Sequence, residues 1–291
     1  MKMLHSGGHF FEGPRWHDGH WYVSDLYAHT VSKISPDGKQ VEVVADIPCQ
    51  PSGLGWMPDG SMLVVSMQDK RVVRKTPAGE LTEHADLSNV VIGYINDMVV
   101  DAQGNAYVGS FGFDLFEGDS PAPARIIRVS AAGEISVAAE GVLFPNGMVI
   151  ANGGKTLIVA ETFAARMSAF SIGSDGALSD HRVWCEMGPV PSWETPQSMM
   201  NVAFAPDGCT LDAEGGVWVA HALFNRVSRV LDGRIVDTIQ SPDGLGLYSC
   251  ALGGEDGKTL LMCMAPDFDH VARAERSEGA LYTCEVGVPR A

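Results

Sequence analysis

Short apolar runs rich in Val, Ile, Tyr and Trp fill this chain of 291 residues from end to end, separated by Gly and Asp-Gly turns, while helical periodicity is nearly absent. The pattern predicts an all-β chain. Its turns also recur. Turn glycines occur at Gly19, Gly60, Gly104, Gly154, Gly215 and Gly257, in steps of 41, 44, 50, 61 and 42 residues. Each precedes a strand of one character: Trp21-Tyr-Val-Ser, Met62-Leu-Val-Val-Ser, Ala106-Tyr-Val-Gly-Ser, Thr156-Leu-Ile-Val-Ala, Val217-Trp-Val-Ala and Thr259-Leu-Leu-Met-Cys. In four units a third strand with a basic residue follows, at Lys33, Arg74, Arg128 and Arg229.

A repeat of about 40 to 45 residues with four strands per unit is the mark of a β-propeller blade. The expected fold is a six-bladed β-propeller of four-stranded antiparallel blades around a central metal channel. The blades are placed near 12–48, 50–88, 95–140, 145–187, 206–240 and 247–286 of a single domain 1–291. In that geometry the starts of the first strands, the loops after the second strands and the links between blades share one face. The two longest steps add segments there: Phe111 to Ala124, and Gly188 to Asn201. Their aromatic and Met residues among Gly and Pro suit either a lid over a pocket or a simple cover for the rim.

Composition narrows the function. The chain is 45% hydrophobic with 19% charged residues and a formal charge of −16, so it can bury a large core but offers no basic face for nucleic acid. No basic start leads into a signal-like apolar stretch, and no apolar run reaches the roughly 20 residues of a membrane span. A cytoplasmic protein is expected, acting as a monomer or small homo-oligomer without nucleic-acid or membrane partners. The six cysteines, Cys49, Cys185, Cys209, Cys250, Cys263 and Cys284, are scattered and show no CxxC spacing, which reads as reduced thiols.

Oxygen-bearing side chains recur at blade starts: Glu12 in Phe-Glu-Gly-Pro, Asn96 in Ile-Asn-Asp, Asn146 in Pro-Asn-Gly and Asp207 in Pro-Asp-Gly. Any one of these is ordinary turn chemistry; four in the same slot would converge on the axis. Two carboxylates and two carboxamides form a hard set of charge −2 suited to Ca²⁺, Mg²⁺ or Mn²⁺. Four protein ligands would leave positions open on a calcium ion, which takes about 6 to 8 oxygens.

These motifs, together with the Pro206–Ala220 run (Pro-Asp-Gly, then Asp-Ala-Glu-Gly, then Trp-Val-Ala), resemble the senescence-marker-protein and gluconolactonase (regucalcin-like) group of six-bladed propellers over essentially the whole chain. The resemblance implies a divalent-cation-dependent hydrolase acting on a small-molecule lactone or ester. Ca²⁺ is the first choice of metal, with Zn²⁺, Mg²⁺ and Mn²⁺ as others, and Glu12, Asn146 and Asp207 as its ligands. Asn96 either joins the metal shell or contacts substrate. Asp207 is the candidate base for the attacking water. Sugar lactonases of the group tend to carry Arg where this chain has Tyr94. With Phe111, Phe113, Phe116, Trp193, Met199 and Met200 on the expected pocket face, this points to a substrate less polar than an aldonolactone.

His221 and His270 fall in loops of the same face, and His221 is included among the candidate substrate contacts. Glu117 and Glu194 in the lid segments, and Arg15 and Arg125, are weaker candidates. Asp97 is expected to point away from the axis, and Asp212 and Glu214 to be solvated near the far turn. Two competing functions stand beside the lactonase. One is a phosphotriesterase or fluorophosphatase resembling diisopropylfluorophosphatase; the other is a non-catalytic propeller that binds calcium or protein.

Overall fold

The computed structural model describes residues 1–291 and contains 24 strands. Contacts group them into two compact units: Met1–Ser52 with Asp207–Ala291, and Gly53–Pro206. Each is built from antiparallel meanders in which neighbouring strands are joined by short turns.

In the first unit, β1 (Lys2–Gly8) is followed by a four-stranded sheet of β2 (Phe11–His17), β3 (His20–Asp25), β4 (Thr30–Ile34) and β5 (Val41–Asp46). The boundary between the units cuts through the next sheet, which comprises β6 (Pro51–Trp56), β7 (Met62–Ser66), β8 (Arg71–Lys75) and β9 (Leu81–Asp86). The second unit adds two more sheets. One consists of β10 (Ile95–Val100), β11 (Ala106–Ser110), β12 (Ala124–Val129) and β13 (Ile135–Val142); the other of β14 (Pro145–Ala151), β15 (Thr156–Glu161), β16 (Arg166–Ile172) and β17 (Leu178–Glu186). A one-turn helix, α1 (Pro196–Met199), lies in the long segment that follows and is fixed by a capping box between Thr195 and Ser198.

The expectation of six separate blades needs correction. Four sheets are separate, but the last seven strands and β1 form one eight-stranded sheet. It contains β18 (Pro206–Leu211), β19 (Val217–His221), β20 (Arg226–Leu231), β21 (Arg234–Gln240), β22 (Gly246–Gly253), β23 (Thr259–Ala265) and β24 (Gly279–Glu285), with β1 on its edge. The join is the single residue pair His221 to Leu247 between β19 and β22. A second finding is that β1 pairs antiparallel with β24, from Lys2–Thr283 to Gly8–Gly279. The strands after 246 number only three, so the N-terminus supplies the fourth.

Burial falls along each meander. The first strands are largely enclosed, as in β10 and β14, whereas the last strands β5, β9, β13, β17 and β21 are mostly exposed. Apolar side chains of the enclosed strands interleave between sheets. In the first unit Trp218, Leu247, Leu252, Leu260 and Met262 form one core and Phe11, Trp21, Val23, Ile34 and Leu261 another. In the second, Tyr107, Ile126, Met148, Leu157 and Phe170 pack together. All six cysteines are free, and Cys185, Cys209, Cys250 and Cys263 are buried within this packing.

The basic residue of the third strand now has a role. The Nε of Arg229 donates to Asp212 Oδ2 at 2.7 Å, and its NH2 group reaches Glu214 at 2.9 Å. Arg74 pairs in the same way with Asp59. Asp212, expected in solvent, is instead fully buried; its other oxygen accepts the backbone N–H groups of Glu214 and Gly216. The turn that reads as solvated polar chemistry holds a buried ion pair that locks the turn between first and second strands to the third.

Candidate functional site

Glu12, Asn96, Asn146 and Asp207 are each the second residue of the first strand of their meander. For three of them the strand register breaks at that point. One extra residue is inserted between Glu12 and Arg15 opposite β3, between Ile95 and Met98 opposite β11, and between Pro145 and Met148 opposite β15. A β-bulge of this kind re-aims the side chains it contains and frees them from strand alternation. The same break occurs in β22 between Leu247 and Ser249, so Tyr248 occupies the bulge there.

In the first unit, Asp207 is 6% exposed and Glu12 is partly buried, with its Oε2 accepting the Gly13 N–H at 3.1 Å. The two carboxylates act on shared neighbours. Burial first, then the negative charges of Glu12 and Asp207, push the Cys263 thiol well above its ordinary pKa. Tyr248 is raised by burial and then by Asp267, Asp207 and Glu12. A buried neighbourhood charged by two carboxylates is a site that a cation would stabilise. Gly208 permits the packing beside Asp207: a Cβ there would lie 1.9 Å from Ser249 Oγ and 2.7 Å from Ser249 Cα.

In the second unit, Asn146 is 8% exposed and donates through Nδ2 to Thr162 Oγ1 at 3.2 Å, which fixes the orientation of its amide. Thr162 follows Glu161, a fully buried carboxylate that takes Arg166 Nε at 2.7 Å, the Leu143 N–H at 2.6 Å and the Ser168 hydroxyl. That cluster makes a rigid support behind Asn146. Phe144, two residues before it, has φ of 56°, a left-handed conformation rare for an aromatic residue. Asn96 is 9% exposed. Its neighbour Asp97 turns its Oδ1 onto the Met98 N–H at 2.8 Å and lies where a side chain on Gly53 would sit.

Within the first unit Glu12 and Asp207 offer carboxylate oxygens, and within the second Asn96 and Asn146 offer carboxamide oxygens, donor types that suit a hard divalent ion; no three His, Cys, Asp or Glu side chains gather in one place.

The aromatic residues of the second unit divide into two groups. Tyr94 contacts Phe111 and Phe116 with ring centroids 5.8 and 5.3 Å apart, and Phe111 stacks on Phe144 at 4.3 Å. Trp193 meets Phe113 edge-on at 6.2 Å and donates its Nε1–H to the Phe163 carbonyl at 3.0 Å. The two long loops are thereby tied to each other and to the sheet start at Phe144. Phe113 (2% exposed) and Met199 (0%) are packed inward as core, whereas Phe116 (42%) is open to solvent and Tyr94 and Trp193 are half-buried. Of the histidines, His221 is fully buried at the end of β19 with its ring edge-on to Phe224 at 4.5 Å, and His270 opens the short helix α2 (His270–Glu275). Tyr248 heads the corresponding start of the sixth unit, in Tyr-Ser-Cys, but carries neither carboxylate nor carboxamide and so falls outside the expected site.

The chain is 26% identical over 295 residues to the pentonolactonase XacC of Haloferax volcanii, covering 94% of this chain and 90% of that one. A calcium-binding protein, regucalcin, from Agrobacterium tumefaciens superposes with a TM-score of 0.80 at 20% identity, covering 100% and 95% of the two chains. A gluconolactonase of Xanthomonas campestris gives 0.72 at 20% identity, over 99% and 89%. These likenesses show an all-β propeller fold. The family described as SMP-30/Gluconolactonase/LRE-like region matches residues 10–265, a span that takes in all four strand-start residues, and the chain belongs to that family.

Proposed function

We propose that this protein is a divalent-cation-dependent hydrolase that opens lactone rings. The observation that supports it most is the repeated placement of Glu12, Asn96, Asn146 and Asp207 as second residues of four first strands. Membership of a family whose relatives include a pentonolactonase points the same way. We read the eight-stranded sheet as two blades joined at one residue pair, giving six blades in all.

The ligands we assign are Glu12, Asn146 and Asp207, with Asn96 completing the set or contacting substrate; Ca²⁺ fits this all-oxygen set best. A bound divalent cation supplies Lewis-acid polarisation of a carbonyl and lowers the pKa of nearby water. Asp207 accepts the proton of the attacking water as the new C–O bond forms. That proton is returned to the ring oxygen as the ring C–O bond breaks. Asn146 is held in register by Thr162. Tyr94, Phe116 and Trp193, the accessible members of the aromatic cluster, favour a substrate less polar than a sugar lactone. Six free thiols suit a reducing compartment, and we place the protein in the cytoplasm.

A panel of aliphatic, aromatic and sugar lactones, assayed with and without chelator, tests the assignment. Chelation is expected to abolish ring opening, and restoring Ca²⁺ to recover it; at about a hundredfold excess over Kd the ion adds about 2.7 kcal/mol of stability, visible as a rise in Tm. Chelator-insensitive turnover would remove the metal from the mechanism. Gluconolactone proving the fastest substrate would remove the preference for apolar ones. Turnover of phosphotriesters but no lactone would favour the fluorophosphatase reading, and none on any ester a binding protein.

Thr162→Val separates support from ligation. The substitution keeps the shape but leaves the Asn146 amide without its acceptor, and metal affinity is expected to fall on the order of tenfold. The loss of one buried hydrogen-bond partner costs about 1 to 3 kcal/mol of stability. Unchanged metal affinity in titration calorimetry would show that Asn146 does not ligate through the oriented oxygen.

A further inference from the structure

Within the first unit a cavity of about 380 Å³ opens between two loops that the lactonase assignment does not use. One loop, residues 222–225, connects β19 to β20; the other, residues 266–269, leads from β23 into α2. Phe224 and Phe268 project from these loops, and each is 49% exposed. Asn225 and Asp267 add polar groups, and Gly246 and Tyr248 of β22 complete the lining.

The walls are anchored rather than loose. Asp267 is held at 3.0 Å by Arg273, a residue only 1% exposed whose other arm reaches Glu278 at 2.7 Å. Asp269 caps α2 by accepting the N–H groups of Val271 and Ala272. The carbonyl of Arg273 is also within 2.9 Å of His9 Nδ1, which ties the segment to the chain start. On the opposite side, Phe224 is gripped between the His221 ring and the guanidinium of Arg226, 5.6 Å from its centroid. Two large apolar side chains are thus fixed half in water across a shared cavity, an arrangement that gains free energy only when something covers them.

Tyr248 connects this cavity to the chemistry. It sits in the β22 bulge, packs against Phe10 with centroids 4.7 Å apart, and feels the charges of both Glu12 and Asp207. Its hydroxyl lies against the Gly246 backbone, where a Cβ would approach it to 2.2 Å. Asp267 of the lining is already paired with Arg273, and the carboxylates of Asp207 and Glu12 act on Tyr248, so a neutral substituent suits the lining better than an anionic one.

We propose that this cavity is a specificity subsite that receives a neutral hydrophobic substituent of the lactone, about the size of a phenyl ring, between Phe224 and Phe268 with Tyr248 as its floor. The inference rests on the lactonase reading above and names the part of the substrate that reading leaves open. The apolar preference then has a source in these two loops.

The test compares kcat/KM for γ-phenyl-γ-butyrolactone and γ-butyrolactone in the metal-loaded wild type, the Phe224→Ala/Phe268→Ala variant and the Val271→Ala control. Val271 is exposed on α2 outside the lining. The double variant is expected to lower the phenyl-to-unsubstituted ratio by about tenfold or more, chiefly through KM, while the control leaves it in place. An unaltered ratio in a folded double variant overturns the proposal. Should that variant not fold, Gly246→Ala, which displaces the Tyr248 hydroxyl into the cavity, is expected to lower the same ratio, and an unaltered ratio again overturns it. If the wild type hydrolyses no lactone, the lactonase reading fails separately. The subsite is then read by saturation-transfer NMR with the intact phenyl lactone: signal in the wild type that is lost in Phe224→Ala/Phe268→Ala supports it, and no signal in the wild type ends it.

Discussion

Asp207→Asn is expected to lower lactone turnover by about a thousandfold or more while the protein keeps its fold and its thermal stability. Asp207 is 6% exposed and begins the meander that carries Trp218 in its core, so its shape matters; Asn preserves that shape. What is lost is one of two negative charges in a buried neighbourhood, together with the carboxylate lone pair assigned to take the proton from water. Without a cation, two carboxylates that act on the same Cys263 and Tyr248 oppose each other, so neutralising one does not weaken the apo protein. The metal-dependent rise in Tm should shrink in parallel with affinity. Circular dichroism, a melting curve with and without Ca²⁺, and single-turnover kinetics together decide the matter. A variant that turns over at near wild-type rate would exclude Asp207 as the base, and one that retains full metal stabilisation would exclude it as a ligand.

The parts of this molecule that the sequence revealed are the local ones. Gly at a turn, alternation along a strand and a carboxylate or carboxamide at a strand start are all set by neighbours in the chain. The six second strands and the four strand-start residues were therefore readable at their true positions. What escaped depends on partners distant in sequence. The pairing of β1 with β24 joins residues near 2 and 283, and nothing in Lys2–Gly8 alone announces it; only the shortage of strands after 246 does. The merging of the last seven strands with β1 into one sheet depends on one pair, His221 with Leu247, invisible to periodicity. Phe113 and Met199 lie in Gly- and Pro-rich loops that look like a lid, yet both point inward and are buried, because a loop that ties itself down needs apolar anchors as much as a pocket needs apolar walls. Tyr248 was visible at the blade start but lacks the oxygen-rich pattern of the other four positions. Its relevance comes from the bulge, the nearby carboxylates and the adjoining cavity.

The same contrast gives the second large effect, which falls on stability and spares catalysis. Asp207 and Asp212 are five positions apart and both acidic, but Asp212 is a structural ion: fully buried, bonded to the Glu214 and Gly216 N–H groups, and paired with Arg229, itself only 12% exposed. Arg229→Met keeps most of the side-chain volume and strands the Asp212 carboxylate without its counter-charge. Breaking a buried pair from one side costs about 3 to 5 kcal/mol, so Tm should fall on the order of 10 °C. Asp212→Asn combined with Arg229→Met removes the stranded charge while retaining an acceptor for the turn, and it should recover part of that loss. Well below the melting temperature, turnover per folded molecule and metal affinity should match the wild type in both variants, because the pair joins the turn between first and second strands to the third strand and contributes no ligand. A melting series on the two variants and the Asp212→Asn single variant measures the coupling directly; additive effects in that cycle would show that Arg229 and Asp212 do not act as a pair.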